Sequence, residues 1–318
     1  ALAVGGEGRY SSTDWRDWWC ADDSQVFQFI GQDNIYFYCV AQPAMWEAMG
    51  WGLKQTTPVA NYHVLFMNKK ASSSGAIKPP MAAELLEHYT PEQLRAHWLS
   101  LALDAKAVSF SPKPYDTSVS HKDKKTGEEV LVKDDPRVVD PVLKESAFLT
   151  NIFNRLARSC FYGAAKACDA RLPGVEASAE VAEECRQATL AFERTVHGLD
   201  FHGALAAVEE FCRAANKRWD AASKAAGDDA DAYVAALADA FAALRTTALL
   251  MHPAVPTGCE LVAEHMGFAA HDFFSWEHAL ATPRELASAL GEDPDEHAIV
   301  ELPPRFDFFS KHESQYKK

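Results

Sequence analysis

Two kinds of spacing divide this chain. Up to about residue 110 the apolar positions come in short runs bounded by Gly or polar residues. Beyond residue 141 they recur every three or four residues. Gln25–Ile30, followed by Gly31, has the length and flanks of a buried parallel strand. Asn34–Met49 carries apolar residues at helical spacing, and Val59–Met67 is a second strand candidate. The polar turn Asn68–Gly75 leads to two predicted helices, Met81–His88 and Gln93–Leu103. The second opens with Thr90 as N-cap and Pro91 at the first helical position. Strand, helix, strand, helix is the order of an α/β domain.

From Pro112 to Asp140 the pattern is lost. This stretch is charged and Pro-punctuated, and it predicts a connector carrying one small hairpin that turns at Thr126-Gly127. Helical spacing then returns, with Leu149, Ile152, Phe153, Leu156, Cys160 and Phe161 as one apolar stripe. Further Ala-rich helical segments cover 176–197, 201–225, 229–252 and 257–267, which together predict a helical bundle. Residues 269–318 read as a tail laid on the surface by Phe306, Phe308 and Phe309. The expected organisation is α/β over 1–111, a connector over 112–140, an all-α bundle over 141–268 and the tail. There is no internal repeat.

Composition narrows the function classes. At 318 residues and 48% hydrophobic, the chain can hold two domains, each with its own core. Seven cysteines, an odd number with no C-x-x-C pair, argue for a reducing, cytoplasmic setting and against a zinc knuckle. The twelve histidines form no H-E-x-x-H, and His197, His202 and His252 have no ligand partner at metal spacing, so no metal site is expected. No uninterrupted apolar run approaches the ~20 residues of a membrane span, and no secretory signal opens the chain; no membrane partner is expected. The chain opens without Met inside what reads as a structured segment, so an upstream portion is expected. A net charge of −14 counts against a general nucleic-acid binder and against DNA, while leaving room for RNA contact through a local patch. The oligomeric state is not legible. Trp15, Trp18 and Trp19 read as packing residues.

Three places carry candidate chemistry. Asp33 follows a strand that ends at Gly31, which puts it at the carboxyl edge of the sheet, where open α/β sheets bind ligands; an ordinary N-cap role is the alternative. Lys69-Lys70-Ala71-Ser72-Ser73-Ser74-Gly75 offers two ammonium groups, three hydroxyls and a glycine, the makings of a phosphate cradle or of a solvated turn; it is not a P-loop. Asn151, Asn154, Arg155 and Arg158 fall on the polar face of one amphipathic helix, with side chains suited to exposed bases and phosphates or simply to solvent.

The order of these elements resembles the methionyl-tRNA synthetase family of class I aminoacyl-tRNA synthetases. In that family a strand bearing F-I-G-K-D-x-x-Y-F-H, then P-A-M, precedes the K-M-S-K-S loop, D-x-x-R-Y-Y-L and a helical anticodon domain. Here Phe29-Ile30-Gly31-Gln32-Asp33, Tyr36-Phe37 and Pro43-Ala44-Met45 match in spacing. Lys70–Ser74 falls where K-M-S-K-S belongs, and Glu92–Leu99 where D-x-x-R-Y-Y-L belongs. Asn154 and Arg158 fall on N-x-x-x-R, Ala215–Trp219 resembles A-N-K-Y, and His252–Pro256 resembles K-P-x-x-P. The likeness runs over roughly residues 8–268.

The resemblance implies the second half of a Rossmann-type catalytic domain followed by an anticodon-binding-like bundle. It implies ATP, with magnesium, as cosubstrate of the intact protein, and an amino acid and tRNA as the other partners. Gly31, Asp33 and Tyr38 would line the amino-acid pocket. Lys69, Lys70, Ser72, Ser73, Ser74 and Gly75 would meet ATP, with Lys69, Lys70, Ser72 and Ser74 acting in catalysis. Asn151, Asn154, Arg155 and Arg158 would meet tRNA. Three departures accompany these matches. Tyr38 stands for the family's pocket histidine, Ser73 for the second lysine of the signature loop, and Ala225 for the tryptophan that stacks on an anticodon base. Loss of one preorganised cation at developing negative charge costs on the order of 2.7–4 kcal/mol by analogy with oxyanion-hole donors. The H-I-G-H half of the family's catalytic fold is absent from this chain, so adenylation by this chain alone is not expected. A synthetase-like paralogue that retains only RNA or protein binding is the rival reading.

Overall fold

The structure, a computed structural model, describes residues 16–50, 52, 56–70 and 78–316. The chain separates into two compact units. One comprises residues 1–77 and 102–110, the other 78–101 and 111–318. Residues 78–101 thus pack with the helices, although the sequence pattern groups them with the first 111 residues.

In the first unit, β1 (Phe27–Gly31) and β2 (Thr57–Asn61) form a parallel pair in register from Phe27 opposite Thr57 to Gly31 opposite Asn61. Between them lie a 3₁₀ turn (Gln32–Asn34), a π-helical turn (Phe37–Ala41) and α1 (Gln42–Met49), closed by Gly50 in the left-handed region. The single strand expected over Val59–Met67 is in fact two. After Asn61 the chain leaves β2, and the Tyr62 amide donates to the Leu103 carbonyl at 2.7 Å. β3 (Val64–Phe66) then pairs with β4 (Lys69–Lys70) antiparallel and with β5 (Val108–Phe110) parallel, a separate sheet. No Gly or Pro marks the break, so the apolar run alone reads through it. β5 escapes prediction because three residues are too few to show a period.

The second unit begins with a single helical turn (Ala82–Leu85) and α2 (Pro91–Ser100). Thr90 caps α2 as its sequence predicts: its hydroxyl accepts from the Gln93 amide, and the Gln93 side chain accepts from the Thr90 amide. The connector forms the expected hairpin, β6 (Val119–Lys122) with β7 (Glu129–Leu131). Its turn is held by the Asp123 carboxylate on the Lys125 and Thr126 amides and by Gly127 at φ 72°. Asp140 then caps α3 (Pro141–Ala147) through the Val142 amide, while its second oxygen accepts from the buried Tyr89 hydroxyl at 2.6 Å. That bond joins the 78–101 segment to the bundle; burial first, and then this bond, hold the phenol well above its usual pKa.

A π-helical turn (Phe148–Phe153) leads into α4 (Asn154–Ala167), followed by α5 (Ala179–His197), α6 (Phe201–Ala226), α7 (Ala230–Met251), α8 (Pro256–His265) and α9 (Pro283–Ala289). α7 packs against α4, α5, α6, α8 and α9 at the centre. By length and composition it could cross a bilayer, yet 78% of its most apolar window is buried inside the protein, as in a central core helix. Arg245, in the middle of α7, is fully buried. Its guanidinium donates to the carbonyls of Ala281 (2.7 Å), His278 (2.8 Å) and Phe273 (3.3 Å). Burial pushes its pKa down to about 10, so it stays charged at neutral pH.

Residues 269–318 are not a surface tail. Phe273, Leu286, Ile299, Leu302, Phe308 and Phe309 all belong to the main core. The Phe309 ring fills the space beside Gly258, where a Cβ would come within 2.2 Å of it. Short turns and extended segments give this stretch no period, so its inward-facing residues cannot be told from surface anchors by spacing.

Candidate functional site

The residues expected at the amino-acid pocket all lie on one continuous path in the first unit. β1 ends at Gly31, and Gly31 lies opposite Asn61, so the carboxyl ends of the two parallel strands are level. The chain turns at once into the 3₁₀ segment that presents Asp33 to solvent, with the Asn34 amide 3.5 Å from its carboxylate. Gly31, not Asp33, occupies the N-cap position, so the capping alternative for Asp33 does not hold. A Cβ on residue 31 would lie 2.7 Å from an Asp33 carboxylate oxygen, so glycine leaves room for the carboxylate where it stands. Tyr38 stands in the π-helical turn, partly exposed. A π turn holds an extra residue and often occurs at functional sites. Asn61, level with Gly31, was hidden from sequence reading inside the longer expected strand.

Lys69 and Lys70 form β4 and are exposed. Their placement depends on a two-residue turn, Met67-Asn68, with φ of 51° and 61°. Both central residues in the left-handed region suit the right-handed twist of a tight hairpin. Asn tolerates that conformation; Met does so only under strain. The turn is pinned by its amides: Met67 donates to the Phe110 carbonyl (3.1 Å) and Asn68 to the Ser109 hydroxyl (2.9 Å). Sequence reading started the turn at Asn68 and missed Met67, because Met is an ordinary strand residue. Ser72, Ser73, Ser74 and Gly75 lie outside the described residues.

In the second unit the four expected RNA-facing residues separate. Asn151 is exposed in the π-helical turn. Asn154 is completely buried: its side chain donates to the Phe309 carbonyl (2.9 Å) and accepts from the Phe309 amide (3.0 Å). It clamps the final segment onto α4 and has no surface to offer a base. Arg158 pairs with Asp307 at 2.8 Å, and Tyr162, one turn on, accepts from the Phe306 amide and donates to the Pro303 carbonyl. Arg155 is turned toward Asp220 at 3.3 Å. The shared polar face assumed an unbroken α-helix. The π turn over Phe148–Phe153 shifts the register, and Asn154 joins Ala157, Phe161 and Ala164 on the buried stripe. Ala225 closes the last turn of α6. Among the described residues no group of three His, Cys, Asp or Glu could hold a metal ion.

Residues 4–121 match the family of tRNA synthetases class I (M). The methionine–tRNA ligase of Methanoculleus marisnigri is 34% identical over 112 residues, 35% of this chain and 17% of that protein. That of Methanocorpusculum labreanum is 24% identical over 262 residues, 81% of this chain and 34% of the relative.

Residues 4–121 of this chain are similar to the methionyl-type class I tRNA synthetases.

The fold carries the same likeness. The crystal structure of Mycobacterium tuberculosis methionyl-tRNA synthetase bound by methionyl-adenylate superposes with a TM-score of 0.64 at 20% identity, covering 97% of this chain and 54% of that one. The apo form of the same synthetase gives 0.63 and 18%, covering 100% and 54%. The chain therefore spans about half the length of the solved structures it matches, and 17% and 34% of these two curated relatives.

Proposed function

We propose that the chain is the carboxy-terminal part of a methionyl-type aminoacyl-tRNA synthetase. In the intact protein, an amino acid, methionine by resemblance, attacks ATP to give an aminoacyl-adenylate, and the acyl group passes to tRNA. The observation that carries this reading is the level carboxyl end of the β1–β2 pair, with Gly31 and Asp33 on it, inside the segment that matches the class I family. There Asp33 and Tyr38 would meet the amino acid. Lys69 and Lys70 would supply point charges to the ATP phosphates, with magnesium as counter-ion. The first unit would be the second half of a Rossmann-type domain and the helical unit an anticodon-binding-like bundle. The unpaired, scattered cysteines suit a reducing cytoplasm.

A second reading, a catalytically inactive synthetase-like module, draws support from the helical unit. Of the charged residues, 37 acidic and 25 basic fall in this unit, a net −12, against eight and six in the first. A −12 surface repels a phosphate backbone, and two of the four candidate RNA contacts, Asn154 and Arg158, are engaged with the closing segment. This favours binding of protein over tRNA.

Methionine-dependent ATP–pyrophosphate exchange by the full-length protein separates the two. Exchange supports the synthetase; its absence, even after Ser73→Lys, supports the inactive module. A tRNA shift at low salt that Arg158→Ala leaves unchanged would remove α4 from any RNA interface.

A further inference from the structure

The loop from Phe273 to Ala281 is held more firmly than a plain surface connection requires. Arg245, from the middle of α7, donates to three of its carbonyls, those of Phe273, His278 and Ala281. The guanidinium also stands over the Phe273 ring, 5.3 Å from its centre. His252, at the end of α7, stacks on Phe274 with ring centres 3.7 Å apart. Burying a charged group to hold a loop is unfavourable unless its bonds replace the water it loses. The loop so fixed turns two large apolar side chains outward. Trp276, in a 3₁₀ turn, is 47% exposed, and Leu280 is 52% exposed. Surface loops positioned by a rigid frame are where proteins place binding residues. Tryptophan is among the side chains that dominate interface energies, and a loop ordered in advance loses little freedom on binding.

We propose that the Phe273–Ala281 loop is a docking surface for a basic segment of another protein, with Trp276 and Leu280 receiving an apolar side chain of that segment. The proposal holds under either reading above, since it makes no use of the β1–β2 site. Charge selects the partner. From Ala269 to Glu301 the chain carries eight Asp or Glu residues against one Arg. That residue, Arg284, is taken up by Glu176 at 3.2 Å and Asp295 at 2.8 Å. Arg284 lies three residues past the loop, so its bond to Asp295 brings the acidic stretch Glu292–Glu296 back beside the loop's end. Glu277 is exposed next to Trp276 in sequence. An acidic frame with an apolar anchor complements Lys or Arg flanking an apolar residue, and it repels the phosphates of a nucleic acid.

Panning a random-peptide phage library on the 318-residue chain tests this, with a chain carrying both Trp276→Ser and Leu280→Ser for counter-selection. Enriched peptides should carry Lys or Arg beside an apolar residue. Their affinity, read by fluorescence anisotropy on synthetic copies, should fall on the order of tenfold or more in the double variant. Glu277→Lys should also weaken them, and that loss should shrink as salt rises. Peptides without basic residues, equal binding to the double variant, or a selection that enriches nothing overturns the proposal. A tRNA gel shift that Trp276→Ser abolishes overturns it in favour of RNA. Self-association that Trp276→Ser abolishes overturns it in favour of a second copy. Urea unfolding checks that the double variant is folded. If it is not, Glu277→Lys decides, since that side chain lies at the surface: weaker binding supports the proposal and unchanged binding overturns it.

Discussion

The two units handle their apolar residues in opposite ways. In the first, Ile30, Phe66 and Phe110 are the buried hydrophobic residues among those described, and ten large apolar side chains between Phe27 and Tyr62 are exposed. In the second, one continuous core runs from Ala96 on α2 to Phe309 near the carboxyl end. The difference follows from how each kind of structure closes. Helices satisfy their own backbones and bury an apolar stripe against neighbours supplied by the same stretch of chain. A parallel sheet needs strands and covering helices brought from elsewhere. Among the described residues the helical unit buries its apolar side chains in one core, while the α/β unit leaves most of its large ones exposed.

The sharpest way to break that comparison is Arg245→Met, which removes the donors to the Phe273, His278 and Ala281 carbonyls at the edge of the core. At about 1–3 kcal/mol for each carbonyl left without a donor, it should cost about 3–5 kcal/mol in urea unfolding of the helical unit. A loss under about 1 kcal/mol would mean that water reaches those carbonyls and the core is not closed there.

Next in size is a pH effect at His97, which is buried on α2. Burial pushes its pKa from 6.5 down to about 4. Between those values the unfolded chain takes up a proton that the folded chain does not. Stability from this residue is therefore complete above pH 6.5 and is lost as pH falls toward 4, by about 3 kcal/mol in all. His97→Phe should flatten the unfolding free energy over that window relative to wild type. Parallel curves would show that the imidazole is solvated.

Asn154→Ala leaves both polar groups of Phe309 unsatisfied and should cost about 2–3 kcal/mol. Arg158→Ala breaks a half-exposed ion pair with Asp307 and should cost less than about 1 kcal/mol. If the two substitutions cost the same, Asn154 is not the clamp.

The smallest effect belongs to the open unit. Val40→Asp in the 318-residue chain should change stability by no more than about 0.5 kcal/mol, since the side chain is already in water. A core-sized loss would show that the helix is covered within this chain.

What the sequence determined by itself was the kind of each long element and the family order of its motifs. Those signals are local: Thr90-Pro91 starts α2, Gly127 turns the hairpin, and Ala-rich runs with apolar stripes make α5 to α8. The Gly31–Asp33 corner was legible for the same reason, because a strand that ends in Gly before a helical turn is a local event. Tertiary structure alone decided the rest. It split the expected Val59–Met67 strand between two sheets, drew residues 269–318 into the core, and turned Asn154 inward to hold Phe309. In each case the outcome depends on which distant segment arrives as partner. An asparagine on a helix, or a valine on its face, carries no mark of whether a neighbour or water will meet it.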